Sequence, residues 1–161
     1  MMILEASQDE KLKNLSLEEL KVKFDYQILA RVFGDWVEDK RTGKGVIKGP
    51  TGDVYEGDYV ENKKTGKGLY KWADGRVYEG EFVDDMMAGK GVFKWPDGDV
   101  YEGDFVEDKR TGKGVYKFAD GRVYEGDWVE GKRTGKGVLK CANGAVYEGD
   151  WVDDKFQGKI C

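Results

Sequence analysis

Val77-Tyr78-Glu79-Gly80-Glu81-Phe82-Val83 alternates large, acidic and small residues with the two-residue period of a β-strand. The phrase Tyr-Glu-Gly-Asp/Glu-aromatic-Val begins at Tyr55, Tyr78, Tyr101, Tyr124 and Tyr147, a period of 23 residues, and a divergent copy begins at Val32. A fixed period of this length marks a repeat architecture, in which each unit buries its apolar surface only against its neighbours. Function is then a question of what surface the stack presents.

Within a unit, the phrase is followed by a polar turn that ends at Gly89, and by a second extended stretch, Gly91-Val92-Phe93-Lys94-Trp95. Asp97-Gly98 reads as a two-residue hairpin turn, because both central residues of such a turn need positive φ. Asp74-Gly75, Asp120-Gly121 and Asn143-Gly144 repeat it, and Thr51-Gly52 is a weaker version. The pattern predicts an all-β fold: a single-layer antiparallel meander of roughly eleven short strands, on the order of 50 Å long at the usual strand spacing. Gly57, Gly80, Gly103, Gly126 and Gly149 would let a neighbouring ring lie flat on the backbone. Gly66, Gly89, Gly112 and Gly135 fall where a left-handed residue is expected.

Composition fits such a ribbon. Among 161 residues, 39% are apolar and 37% are charged, lean for a central core, yet 13% aromatics in strict register argue against disorder. A net charge of −5 argues against non-specific nucleic-acid binding. Histidine is absent, which removes the commonest general base and metal ligand. Cys141 and Cys161 form no metal pattern and no disulfide framework. With no signal peptide and no apolar run of membrane-spanning length, a cytoplasmic protein without cofactor or metal is expected. Gly126 to Lys132 has phosphate-loop spacing, but Arg133 stands where Ser or Thr must hold magnesium. Acids that recur in every copy, with no distinct pocket, also speak against catalysis, so no enzyme is expected.

Residues 1–30 differ from the rest. Ser16 with Glu19 makes a capping box, and Leu15 with Leu20 a hydrophobic staple. The stripe Leu17, Leu20, Phe24 and Ile28 then predicts a helix over Leu17–Leu29. It would cap the first strand edge; binding a partner, or a second copy of the chain, is its alternative use.

Tyr-Glu-Gly-Asp-Trp, then Gly-Lys-Gly-Val-Tyr, then Asp-Gly and the next Tyr-Glu-Gly resembles the MORN (membrane occupation and recognition nexus) repeat. The resemblance covers residues 32–161: five full copies (32–54, 55–77, 78–100, 101–123, 124–146) and a partial sixth (147–161). Val32-Phe33 replaces the opening Tyr-Glu, Gly49-Pro50 replaces the aromatic-Ala of the first copy, and Met86-Met87 interrupts the basic turn. The resemblance implies a twisted sheet that scaffolds protein assemblies, as in ciliary and cytoskeletal proteins and junctional membrane tethers, or beside kinase and methyltransferase domains. It also implies a link to acidic phospholipids.

Counting outward from a two-residue Asp97-Gly98 turn sets Val100 opposite Trp95 and Glu102 opposite Phe93. One face then carries Trp95, Phe93 and Glu102, and the other Tyr101, Val92, Gly103 and Phe105. On the first face Tyr70, Trp72, Phe93, Trp95, Tyr116 and Phe118 gather in the three central copies, bordered by Glu79, Glu102 and Glu125. Such a surface suits a basic, amphipathic peptide or helix of another protein. The bland alternative is a second small core layer. The turns carry a basic ladder, with Lys63, Lys64, Lys109, Arg110, Lys132 and Arg133 as candidate contacts to an acidic phosphoinositide membrane. Acids precede each pair, which favours a solvated edge that blocks sheet-to-sheet aggregation. Finally, Asp53, Arg76, Asp99 and Arg122 alternate in sign beside Pro50, Ala73, Pro96 and Ala119, pointing to a duplicated unit of 46 residues without a function of its own.

Overall fold

The computed structural model describes residues 31–37 and 40–158, with side chains from Lys40 onward. The helix expected over Leu17–Leu29 lies outside the described residues. Twelve strands form one antiparallel sheet in sequence order. They are β1 Arg31–Val37, β2 Lys40–Lys48, β3 Val54–Val60, β4 Lys63–Lys71, β5 Val77–Val83, β6 Met86–Lys94, β7 Val100–Val106, β8 Lys109–Lys117, β9 Val123–Val129, β10 Lys132–Lys140, β11 Val146–Val152 and the two-residue β12, Lys155–Phe156. The all-β meander expected from the repeat is what forms.

The two kinds of turn are exchanged relative to expectation. The tight two-residue turns are Glu61-Asn62, Asp84-Asp85, Glu107-Asp108, Glu130-Gly131 and Asp153-Asp154, flanked by pairs such as Val60↔Lys63 and Val106↔Lys109. Both residues of each have positive φ, for example 47° at Glu107 and 65° at Asp108. Non-glycine residues adopt this region at a cost of about 1–2 kcal/mol, so something must offset it. The preceding repeat does. Asp108 Oδ1 accepts the Met87 N–H at 2.8 Å, and the Asp108 N–H donates back to the Met87 carbonyl at 3.2 Å. Asn62 with Arg41, Asp85 with Lys64 and Asp154 with Arg133 make the same reciprocal bonds.

The Asp-Gly corners hold three loop residues, not two. Trp95 N–H donates to the Asp99 carbonyl, and Gly98 N–H to the Trp95 carbonyl, which closes a turn over Pro96-Asp97 followed by Gly98 at φ 101°. This is the three-residue hairpin loop, and its last position requires a left-handed residue, hence glycine.

The extra residue slips the register by one. Phe93 pairs with Tyr101, Val92 with Glu102, and Lys94 with Val100. Because side chains alternate along a strand, the slip regroups both faces. From Lys40 onward the aromatic residues share one face; Val92, Lys94, Glu102 and Asp104 share the other. The expected mixed surface of rings and glutamates therefore does not exist on either side.

The aromatic face carries the core. Tyr55, Tyr78, Tyr101 and Tyr124 are at most 2% exposed. Each lies across a cross-strand pair of glycines; Tyr101 covers Gly103 and Gly114. Each also meets two rings edge to face: Tyr101 meets Phe105 of its own strand (5.2 Å, 89°) and Trp128 of the next repeat (5.2 Å, 79°). Tyr78 does the same with Phe82 and Phe105, and Tyr124 with Trp128 and Trp151. Edge-to-face contacts of this kind add about 0.5–1.5 kcal/mol beyond burial. The hydroxyl of Tyr101 donates to the Asp104 carbonyl at 3.2 Å, beside the bulge where Gly112-Lys113 fall out of register with β7.

A methyl group at Gly103 would overlap the Tyr101 ring and lie 2.7 Å from Gly114 Cα. We expect Gly103→Ala to destabilise the sheet by more than about 2 kcal/mol, as overpacking does, lowering Tm by roughly 4–8 °C. Gly144→Ala, with no atom within 4 Å and only its φ of 87° against it, should cost about 1 kcal/mol. Thermal melts followed by circular dichroism check both.

Candidate functional site

The six rings singled out in the sequence are brought together. On the aromatic face they run as one line, with centroid separations of 4.4 Å for Tyr70–Trp72, 5.3 Å for Trp72–Phe93, 4.4 Å for Phe93–Trp95, 5.4 Å for Trp95–Tyr116 and 4.5 Å for Tyr116–Phe118. Phe93 is buried and the other five are half-buried against the tyrosine row. Much of their outer surface is covered by the chain's own cations: Arg76 over Trp72, Arg122 over Phe118 and Lys64 over Tyr70. Tyr116 donates to Asp99 Oδ2 at 2.6 Å.

The turn cations divide into two sets that the sequence did not distinguish. The first member of each pair reaches an acid in the next turn: Lys40–Glu61, Lys63–Asp84, Lys109–Glu130 and Lys132–Asp153. The second member folds inward over the rings. Arg110 lies 4.4 Å from the Trp128 centroid and within 5.3–5.8 Å of Tyr116, Tyr101 and Trp95, and it donates to the Gly131 carbonyl at 2.7 Å. Burial holds its guanidinium below the usual arginine range. Arg133 sits over Trp151 and Tyr124 and bonds Asp154 at 2.9 Å; Arg41 sits over Tyr59. The interruption at Met86-Met87 thus has a plain cause: Met87 packs on the core in the slot that Arg110 fills one repeat later.

At the opposite corners, Asp53 Oδ1 accepts the Ala73 N–H and Asp99 Oδ1 the Ala119 N–H, both at 2.8 Å. Arg76 instead turns to Asp74 in its own loop, and the next loop opens with Pro96, which has no N–H to offer.

The other face holds the candidate site. Its central row alternates aliphatic and glutamate residues across ten strands: Val46, Glu56, Leu69, Glu79, Val92, Glu102, Val115, Glu125, Val138 and Glu148, each paired with the next. Beside it runs a row of lysines, all but Lys67 paired with aspartates. Lys44–Asp58 (3.2 Å), Lys90–Asp104 (2.6 Å), Lys113–Asp127 (2.5 Å) and Lys136–Asp150 (2.8 Å) are ion pairs that neutralise one another. Lys113 and the Lys136 N–H hold the Asp127 carboxyl below the usual carboxylate range. Among the described residues the five glutamates make no ion pair. The two rows and the glycine row between them line one groove of about 2460 Å³ from β2 to β11. Glu79, Glu102 and Glu125 are central in it; the six rings are on the far side of the sheet. Glu56 and Glu148 fall outside the site expected from sequence because that site follows the aromatic-rich central copies, and the intervening aliphatic residues because the expected register sets them on the other face. Among the described residues no cluster of three or more His, Cys, Asp or Glu could hold a metal.

Burial raises the phenols of Tyr59, Tyr101 and Tyr124 to about 12 and that of Tyr78 further, against an ordinary value of 10.0. A raised folded value means that this contribution to stability is complete below pH 10 and is lost as pH rises towards 12. The tyrosinate absorbance of these residues should therefore appear together with loss of the sheet signal; titration near pH 10 with the sheet intact would contradict the burial. For the stacked cation, Arg110→Met should cost no more than about 1 kcal/mol, since Met87 already serves at that slot. Arg110→Glu should cost more than about 3 kcal/mol, because it buries an unpaired charge among rings. Chemical denaturation of both variants measures the difference.

A comparison with curated proteins gives no match. Among solved structures, the TCP domain of SAS-4 from Drosophila melanogaster, in complex with a proline-rich motif of Ana2, is similar at 13% identity. That match covers 75% of this chain and 89% of that one, with a TM-score of 0.39. A streptogramin B lyase is similar at 14% identity over 71% of this chain and 42% of that one, with a TM-score of 0.21. At these TM-scores neither likeness fixes the fold or function of this chain. The family model for the MORN repeat matches residues 33–54, 55–75, 78–100, 101–121, 124–146 and 147–159. Six consecutive matches over most of the sequence, on a sheet with one hairpin per repeat, establish that the chain belongs to the MORN repeat family.

Proposed function

We propose that this protein is a non-enzymatic, cytoplasmic protein-binding scaffold that takes a segment of its partner lengthwise in the glutamate groove. The observation that carries this reading is the open groove on this face, where a row of glutamates alternates with half-buried aliphatic side chains. A partner segment laid there would bury apolar surface against the aliphatic residues and could present cations to the glutamates. Glu79, Glu102 and Glu125 are the central contacts. Tyr70, Trp72, Phe93, Trp95, Tyr116 and Phe118 act as the backing layer that keeps the groove in shape, a role supported by the cations that cover them.

The membrane-surface reading needs free turn cations. Lys63, Lys64, Lys109, Lys132 and Arg133 are each within ion-pair distance of an acid in the next repeat, and Arg110 is sunk among rings. Exposed pairs of this kind contribute about 0–1 kcal/mol each, so they hold the turns only loosely. The pairing nonetheless removes most of the net positive charge that a lipid surface would meet.

Two variants separate the readings. Replacing Glu79, Glu102 and Glu125 by Lys should leave the melt unchanged and abolish capture of protein partners in affinity purification with mass spectrometry. Replacing Lys63, Lys109 and Lys132 by Glu should leave capture unchanged. Partner capture indifferent to the first variant would overturn the groove. Salt-sensitive co-sedimentation with phosphoinositide vesicles, lost in the second variant, would put the membrane reading in its place.

A further inference from the structure

The line of rings on the aromatic face has a gap at its first position. Gly49 stands one repeat before Trp72 and two before Trp95. Each of those rings lies 4.4 Å from the ring two residues before it, and 5.3 or 5.4 Å from a ring of the following repeat. At Gly49 the corresponding neighbours are Ile47 and Tyr70, and with Tyr55 and Tyr59 they line an open cleft of about 480 Å³. The backbone does not ask for glycine there: its φ is not positive, and a Cβ would meet nothing nearer than 3.7 Å. The charges round the cleft balance. Arg41 lies 5.0 Å from the Tyr59 centroid and Lys64 5.2 Å from that of Tyr70. Asp85 pairs with Lys64 at 3.5 Å, and Asp53 accepts the Ala73 N–H and the Thr51 hydroxyl. Two cations and two acids leave no net charge for a charged guest to meet. A neutral ring suits the space, because the cation that matches Lys64 two repeats on, Arg110, lies 5.8 Å from the Trp95 ring.

We infer that this cleft seats the phenol of Tyr26, supplied by the chain's own leading segment. Arg31 pairs with Lys48, so the chain that precedes it leaves the sheet beside Gly49. Tyr26 stands five residues before Arg31, at most roughly 18 Å of extended chain. Phe24 and Tyr26 are the aromatic residues of the segment 1–30, and of the two Tyr26 carries a hydroxyl. The cleft has a use for one. The Tyr59 hydroxyl is buried without a hydrogen bond. In the same place Phe82 and Phe105 have no hydroxyl to satisfy, and Trp128 donates to the Gly114 carbonyl. Tyr70 stands where Tyr116 donates to Asp99 Oδ2, but the equivalent oxygen of Asp53 is taken by Thr51. A phenol both donates and accepts, so it can serve either hydroxyl, and pairing a buried one removes a standing cost. So seated, the leading segment is anchored on the face opposite the groove, and the site stands independently of the proposed function.

The test follows trypsin cleavage after Lys23 in the full chain, with mass spectrometry reading the cut and thermal melts confirming the fold of each variant. Tyr26→Ala should speed that cut about tenfold or more, Tyr26→Phe about threefold, and Phe24→Ala less than about twofold, since cleavage tracks local opening. Gly49→Trp supplies a ring from the sheet itself. It should release the segment as Tyr26→Ala does, with the melt unchanged or higher. Each rate is measured at two protein concentrations. If Phe24→Ala has the larger effect, or Tyr26→Phe behaves as the wild type, the phenol assignment is overturned. A cut that Gly49→Trp leaves unchanged overturns the cleft as its seat. Protection that vanishes on dilution assigns the ring to a second copy of the chain and overturns the intramolecular seat.

Discussion

One contact sets up the rest of this molecule: a tyrosine ring laid flat over a cross-strand pair of glycines. Tyr101 can reach its place only because neither Gly103 nor Gly114 has a Cβ. Once there, its edges accept a ring from its own strand and another from the next repeat. The ring therefore acts at once as the core of one unit and as the joint between two. A single-layer sheet has no second layer to bury its apolar face. Here the aromatic line, roofed in part by Arg and Lys, does that work.

That economy places a constraint on charge. The turn cations neutralise acids of the next turn or stack on rings, and the glutamates without ion pairs lie on the opposite face together with Lys48, Lys71, Lys94, Lys117 and Lys140. The segregation follows from register alone. With Phe93 opposite Tyr101, the large rings from Lys40 onward fall on one side, and Glu102 is left beside Val92 on the other. The face least involved in holding the sheet together is consequently the one with unsatisfied charge, and it is free to be used without destabilising the stack.

Much of this was legible in the sequence. The 23-residue period, the strand pairs and the ring-on-glycine role of Gly103 follow from pattern, because each repeats in every copy. What failed was local: Asp97-Gly98 reads as the tighter turn, whereas Glu107-Asp108 carries no glycine to announce positive φ. The acid pair is held in that conformation by Met87 of the previous repeat. Local propensity cannot register a bond made 21 residues away. The consequence was out of proportion to its cause, since one misplaced loop residue moved Trp95 and Phe93 to the other face from Glu102. The six rings were still correctly grouped with one another, because a uniform slip preserves neighbours along a row while exchanging partners across it.

The corner loops carry a consequence for how such a chain can change length. Asp53 and Asp99 each reach forward to the N–H of an alanine, and Arg76 precedes a proline that has none. Successive joints are therefore of two kinds, and each loop is chemically matched to the one that follows. Excising one copy would set an aspartate against a proline, whereas excising two would restore the original neighbour. Within this stretch the polymer is a copolymer with an alternating sequence, and its natural increment of growth or loss is the dimeric block.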